Sequence, residues 1–289
     1  MITVGIVSPG AMGAAVGRVL AAAEARVVAT VDGRSARTQR LAEGIELLPS
    51  LDDVVAASGI VLSIVPPGAA LDVANAIARS ASRTGARPVV ADLNAIAPAK
   101  METVAERLGE AGLSAVDGSI SGPPPRVAGT TVIYLSGSRA AQVASLDAPG
   151  LELRVVGDMI GTASAIKMST ASFYKGQTAL FAQALRAAWS NGVLELVLDD
   201  LRRHYPDFVD DAPRLLQSIA AKSGRYVAEM EEIAASQAQA GLTPELFSGF
   251  AIVYLELSHT KAAGRSPEQA DPGAKLENVL AALDEVAGA

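Results

Sequence analysis

The 289-residue chain contains no cysteine, which excludes disulfides, thiolate metal sites and cysteine nucleophiles. Its two histidines, His204 and His259, are too few and too scattered to suggest a zinc site. Aromatic residues make up only 4% while half of the chain is hydrophobic, so the interior must be built mainly from Ala, Val, Leu and Ile. Positive charge is not in excess. The formal net charge of −7 argues against non-specific binding to nucleic acid or to an anionic membrane. No uninterrupted apolar run reaches membrane-spanning length. An apolar strand expected from residue 2 leaves no room for a secretory leader, so a cytoplasmic protein is expected.

What is present is a change of style halfway along. Apolar runs at 2–7, 27–31, 60–65, 89–91, 113–116 and 131–136 read as strands, and Ala-rich stretches at 11–23, 35–42, 69–82 and 98–111 read as helices between the early ones. Near-continuous Val and Ile is the mark of strands buried on both faces of a parallel sheet, and the alternation predicts a doubly wound α/β, Rossmann-type domain. Beyond Gly157 the spacing predicts helices only, at 162–191, 194–203, 213–239, 244–260 and 274–287, with a loose segment at 263–272. The expected division is an α/β domain over 1–158 and an all-α domain over 159–289.

Four motifs follow one another through this frame. The first strand runs into Ser8-Pro9-Gly10-Ala11-Met12-Gly13. In a G-x-G-x-x-G loop the first glycine makes the tight turn and the second admits a pyrophosphate. The third lets the helix pack on the strand, and the helix N-terminus supplies N–H donors. Gly10 and Gly13 fit the second and third roles and Ser8 occupies the first, so Gly10, Ala11 and Met12 are expected to hold a dinucleotide. After the second strand, Asp32 is placed to bind the 2′-hydroxyl of NAD, while Arg34, Ser35 and Arg37 offer guanidiniums and a hydroxyl to the 2′-phosphate of NADP. Ser35 also suits a plain helix cap. Arginines at a helix start oppose its dipole, and a bound anion would account for them, so NADP is expected and NAD is the alternative. The remaining motifs are Asp92–Pro98, Asp117–Pro123, and Lys167 near the start of the longest helix.

This ordered set resembles the β-hydroxyacid dehydrogenase superfamily, which includes 6-phosphogluconate and 3-hydroxyisobutyrate dehydrogenases and the imine reductases. Its pattern is G-x-G-x-M-G, D-x-S-T-x-x-P, D-A-P-V-S-G-G and K-x-x-N. The last third, with Arg225–Ile233 and Gly241-Leu242, is similar to a bacterial branch with a poorly characterised C-terminal domain. The resemblance implies that Val65 and Pro66 lie along the cofactor and that Asn94 sits near the nicotinamide. It further implies that Ser121, Gly122, Pro123 and Thr170 meet the substrate and that Lys167 is the general acid/base. Asn94 stands where the family has Ser, Pro123 where it has a second Gly, Thr170 where it has Asn, and Ala228 where the C-terminal K-D-L motif has its lysine.

Lys167, Thr170 and Tyr174 are spaced i, i+3, i+7 and share a helical face. A lysine half-buried there loses hydration of its charged form, which brings its pKa towards neutrality and suits proton exchange at a carbonyl or imine carbon. Tyr174 is a second candidate donor. The expected function is NAD(P)-dependent hydride transfer to or from a small hydroxy acid, carbonyl or imine. Imine reduction with Tyr174 as donor and a non-catalytic dinucleotide sensor stay open beside it. Glu229, Glu231 and Glu232 read as a solvated helix face rather than a metal site, with Arg225 and Glu229 an i,i+4 pair. A helix over 244–260 apolar on more than one face predicts cover from a second subunit, hence a homodimer.

Overall fold

The computed structural model describes residues 2–126, 129–146, 148–264 and 269–286. They form two compact units, Met1–Ser169 and Thr170–Ala289. The first is an α/β unit. Its strands are β1 (Thr3–Val7), β2 (Arg26–Ala29), β3 (Glu46–Leu47), β4 (Ile60–Ser63), β5 (Val89–Asp92), β6 (Ser114–Ser121), β7 (Val132–Ser136) and β8 (Glu152–Gly157). They lie in one sheet in the order β3-β2-β1-β4-β5-β6-β7-β8. From β3 to β6 every pairing is parallel; β7 turns antiparallel to β6, and β8 runs parallel to β7.

Helices α1 (Ala11–Ala22), α2 (Ala36–Leu41), α3 (Leu51–Ala57), α4 (Ala70–Thr84), α5 (Pro98–Glu110) and α6 (Ala140–Ala144) connect the strands. Both faces of the sheet are buried, as the continuous apolar strands require. One core joins Val4, Ile6, Val16, Leu20, Ile133 and Leu135; the other joins Val7, Val61, Ile77, Ile96, Met101 and Val104. Alternate side chains of β1 thus enter opposite cores, as a pleated strand demands.

In this unit four short elements exceed the sequence expectation: β3, α3, α6 and β8. β3 has two residues, and β8 is a half-exposed strand at the other edge. Helix α3 is closed by a capping box: Ser50 Oγ accepts from the Asp53 N–H, and the Ser50 N–H donates to Asp53 Oδ2.

Helix α7 (Thr162–Ser190) begins in the first unit and continues into the second, so packing divides the chain inside a helix, beyond the change of composition near 158. The second unit adds α8 (Leu194–Arg202), α9 (Pro206–Asp210), α10 (Ala212–Gln239), α11 (Glu245–Ser258) and α12 (Leu276–Asp284). Its core gathers Leu216, Ile219, Met230, Ile233, Tyr254 and Leu257 along α10 and α11. Beyond β8, the described residues contain one isolated bridge, Thr260 with Val286. Residues 265–268 of the expected loose segment and 287 of the expected last helix lie outside the described residues. Among the described residues no helix is long and apolar enough to cross a membrane.

Here the structure corrects one reading. Glu229 is not on a solvated face: it is 8% exposed and paired with both Lys175 of α7 and Arg225, the latter at 3.1 Å. Lys175 also lies 4.9 Å from the centre of the Tyr226 ring. The Tyr254 hydroxyl donates to the Lys175 carbonyl at 2.8 Å. Burial of a glutamate is tolerated because two cations flank it.

Candidate functional site

A doubly wound sheet opens a crevice where its strand order reverses, outside the carboxyl ends of the strands. Here β2 lies on one side of β1 and β4 on the other, so the reversal falls between β1 and β4. The ends of β1, β2, β4, β5 and β6 all point that way. They carry the glycine loop, Asp32, Val65, Asn94 and Ser121 respectively, which brings the motifs of the first unit to one edge of the sheet.

The glycine loop has the geometry its residues were expected to need. Ser8, in the first-glycine position, has φ +64°, a left-handed conformation that glycine adopts without cost. Its carbonyl accepts the Gly10 N–H at 2.7 Å. A Cβ on Gly13 would stand 2.8 Å from that same carbonyl oxygen, so helix and turn touch backbone to backbone. A Cβ on Gly10 would meet nothing within 4 Å, because this residue faces open space. Gly10 caps α1 without a side-chain hydrogen bond, and the first-turn N–H groups have no partner inside the helix. Such a turn fits a pyrophosphate.

Beside it, Thr30, Val31, Asp32, Leu47, Leu48 and Pro49 border an open cavity of about 490 Å³. Thr30, Leu48 and Pro49 were missed in the sequence, where nothing marks them, since β3 is only two residues long. Ser35 Oγ accepts the Thr38 N–H at 3.3 Å and caps α2. Among the described residues Arg34 and Arg37 enter no ion pair, unlike Arg26 with Glu46 or Arg83 with Asp52.

Asn94 is 3% exposed, and its amide is fully engaged. Its Oδ1 accepts the Val65 N–H at 2.6 Å, and its Nδ2 donates to Ser63 Oγ at 3.1 Å and Asp92 Oδ2 at 2.8 Å. The Asn94 N–H donates to Asp92 Oδ1 at 3.0 Å. Asn94 therefore ties the end of β5 to the Val65–Pro66 turn after β4. Burial pushes the Asp92 carboxyl up to about 7; the Asn94 hydrogen bonds oppose this and the neighbouring Asp117 adds to it.

At the end of β6, Gly122 has φ +113°, and a Cβ there would lie 2.1 Å from the Thr130 carbonyl oxygen, so no other residue fits. Thr131 Oγ1 donates to the Pro123 carbonyl at 2.7 Å, which fixes the turn. Lys167 is half-buried, and its Nζ donates to the Ile120 carbonyl at 2.7 Å. That bond sets the ammonium beside the Ser121-Gly122 turn. Thr170 and Tyr174 belong to the second unit; both are exposed, Tyr174 at 65%, with its ring edge-on to Phe173.

Comparison with known proteins identifies the family of the N-terminal half and relatives of the fold. The NAD binding domain of 6-phosphogluconate dehydrogenase matches residues 3–149, and a domain of unknown function (DUF1932) matches residues 188–257. An uncharacterised 28.5 kDa protein of Methanothermus fervidus is 27% identical over 173 residues, 59% of this chain. That match spans 65% of the relative's own length, just under two thirds. Among solved structures, a conserved hypothetical protein from Sinorhizobium meliloti is 28% identical, covering 98% of this chain and 97% of that one, with a TM-score of 0.67. The fold is also that of Mycobacterium tuberculosis 3-hydroxyisobutyrate dehydrogenase, at 17% identity, 98% and 99% coverage and a TM-score of 0.69. It is shared with an imine reductase from Myxococcus stipitatus solved with NAD+, at 19% identity, 89% and 93% coverage and a TM-score of 0.58. By its matched N-terminal half, the chain belongs to the family of the NAD-binding domain of 6-phosphogluconate dehydrogenase.

Proposed function

We propose that this protein is an NADP(H)-dependent dehydrogenase or reductase of a small hydroxy-acid, carbonyl or imine substrate, with Lys167 as the general acid/base. The observation that carries the reading is the Lys167 ammonium held on the Ile120 carbonyl, one residue before the Ser121-Gly122 turn. A nicotinamide dinucleotide, when bound, supplies or accepts the hydride. The chain's own residues do the rest. Gly10, Ala11 and Met12 hold the pyrophosphate on the first turn of α1, and Val65 and Pro66, kept in place by Asn94, border the nicotinamide. Ser121, Gly122 and Pro123 orient the substrate, with Thr170 as a further contact. Lys167 donates its proton to the substrate oxygen or nitrogen during reduction and, as the neutral amine, takes it back in the reverse direction.

Arg34 and Arg37, without ion-pair partners among the described residues, are the 2′-phosphate ligands in this reading. NADPH should bind more tightly than NADH in a fluorescence titration, and Arg34→Ala should narrow that gap by roughly 1–3 kcal/mol. Equal affinities in the native protein, or a preference for NADH, would instead promote Asp32, which borders the adjoining cavity, as a ribose ligand of NAD.

One observation favours a second reading, imine reduction with Tyr174 as the donor: the phenol is exposed rather than packed into a core. A turnover screen of hydroxy acids, aldehydes and cyclic imines with NADPH supplies the assay. Lys167→Ala should lose about 10²–10⁴ in rate and keep NADPH affinity. If Tyr174→Phe is dead and Lys167→Ala is not, the tyrosine is the acid.

We also place the protein in a homodimer. Leu246, Ile252 and Leu255 of α11 are exposed while Ala251, Tyr254 and Leu257 are buried, leaving an apolar face for a second copy to cover. A monomeric mass by light scattering at micromolar concentration would rule this out.

A further inference from the structure

Helix α7 starts without a cap of its own. The residues before it end in Gly161, at φ +96°, and no neighbouring side chain among the described residues receives the first-turn N–H groups. The acceptor comes instead from β6, 44 residues earlier. Asp117 Oδ2 accepts the Gly161 N–H at 2.9 Å, the Ser164 N–H at 3.1 Å and the Ser136 hydroxyl at 3.0 Å. Its Oδ1 accepts the Ser164 hydroxyl at 2.7 Å. Ser136 Oγ in turn accepts the Ala163 N–H at 3.1 Å. Asp117, Ser136 and Ser164 are all fully or almost fully buried. The same strand then holds the helix twice more, through Ser119 Oγ on the Ala163 carbonyl at 2.9 Å and through the Ile120 carbonyl on Lys167 Nζ.

We propose that Asp117 is the positioning residue for Lys167: a buried carboxylate on β6 anchors the start of α7 and thereby sets where the lysine ammonium stands beside Ser121-Gly122. This rests on the reading of Lys167 as the general acid/base. A helix needs only a local Ser or Asp to satisfy its first N–H groups. A local cap, however, travels with the helix, whereas one lodged in the sheet fixes both the rotation and the height of the helix against β6. Lys167 is the residue one turn beyond the anchor, close enough for the anchor to govern it. The requirement is strict, because misplacing a catalytic group by about 1 Å can cost about 10²-fold in rate. The carboxylate also sits at the positive end of the helix dipole, where negative charge is stabilised. The other acids packed around this point are Asp92, paired in register with Asp117 on β5, and Glu102 of α5, near Gly161.

The test reads Lys167 directly. Lysines of the full-length protein are dimethylated with ¹³C-formaldehyde, the Lys167 signal is assigned by its loss in Lys167→Arg, and its titration is followed by NMR. Asp117→Asn removes the charge and turns one acceptor into a donor facing the helix N–H groups. The Lys167 midpoint should then fall by about one pH unit, since the ammonium loses the fixed Ile120 carbonyl acceptor that favours its charged form. Ser164→Ala keeps the carboxylate, deletes one donor and should give a smaller fall. An unchanged midpoint in folded Asp117→Asn, with only a lower melting temperature, makes Asp117 a structural cap and overturns the proposal. Should Asp117→Asn fail to fold, Ser164→Ala decides in the same way. Turnover of Lys167→Ala on the substrates found by the screen is the separate control. Full activity there would overturn the acid/base reading while leaving the measured link between Asp117 and Lys167 intact.

Discussion

Ser8 gives the most exacting test of the dinucleotide loop, because two opposed effects of similar size meet at one residue. Its φ of +64° places an L side chain in the left-handed region, which costs roughly 1–2 kcal/mol. Ser8→Gly removes that strain. It also frees the unfolded chain, which costs about 0.4–1 kcal/mol of stability. The difference is a net gain of about 0.8 kcal/mol, or about 2–3 °C in melting temperature for a chain of this size. Ser8→Val should do the opposite and lose about 1–2 kcal/mol, since a branched Cβ is least tolerated at positive φ. Urea unfolding of the three proteins without nucleotide measures these terms, and an NADPH titration of each reads the loop itself. A Ser8→Gly protein less stable than the native one by more than about 0.5 kcal/mol would refute the strain argument. A tenfold loss of NADPH affinity at unchanged stability would show that the hydroxyl itself touches the cofactor.

The other expectations follow from single contacts. Gly13→Ala drives a Cβ to 2.8 Å from the Ser8 carbonyl, a backbone atom, and should cost about 1–3 kcal/mol and weaken NADPH binding at least about tenfold; wild-type affinity by titration would contradict it. Asp92, with a folded pKa near 7 against about 3.9 unfolded, holds a proton that the unfolded chain has already released. Its contribution is therefore complete below about pH 4 and is lost as pH rises through 7, with a ceiling of about 4 kcal/mol. Stability relative to Asp92→Asn should fall between pH 5 and 8, and a constant difference in denaturant midpoints over that range would sink the assignment. Glu229→Gln leaves Lys175 buried without its carboxylate and should cost about 3 kcal/mol in urea unfolding; a loss under about 0.5 kcal/mol would mean the pair is solvated.

The α/β half was legible because strands buried on both faces must be apolar throughout, and Ile60–Ser63 or Val89–Asp92 can be little else. The direction of a strand has no such signature. Val132–Ser136 looks like its predecessors yet runs antiparallel to β6, which only pairing decides. Helix α3 escaped notice because its seven residues span barely two turns, although its Ser50 and Asp53 cap stands in the sequence. Glu229 was misjudged for a different reason. Spacing along α10 describes one helix, whereas the cation that permits its burial, Lys175, sits on α7, 54 positions away.

The same division holds within the candidate site. The glycine loop was legible because local geometry constrains it, since a tight turn admits few residues, whereas Lys167 was singled out by the resemblance and only then by the helical face it shares with Thr170 and Tyr174. Asp92, Asn94 and Asp117 were visible as motif members, but their work lies in partners that no local pattern names. Asn94 illustrates what a departure from a family pattern means physically. A serine hydroxyl reaches one or two neighbours, while the longer amide joins Val65, Ser63 and Asp92 at once. The substitution therefore strengthens the hold on the Val65–Pro66 turn and engages the whole amide within the fold. In the proposed reading, substrate selection is then left to Ser121, Gly122 and Lys167, whose positions depend on β6, and through Asp117 on where α7 begins. If that chain of dependence is right, changes at the buried acids should alter what the site does to a proton before they alter what nucleotide it binds.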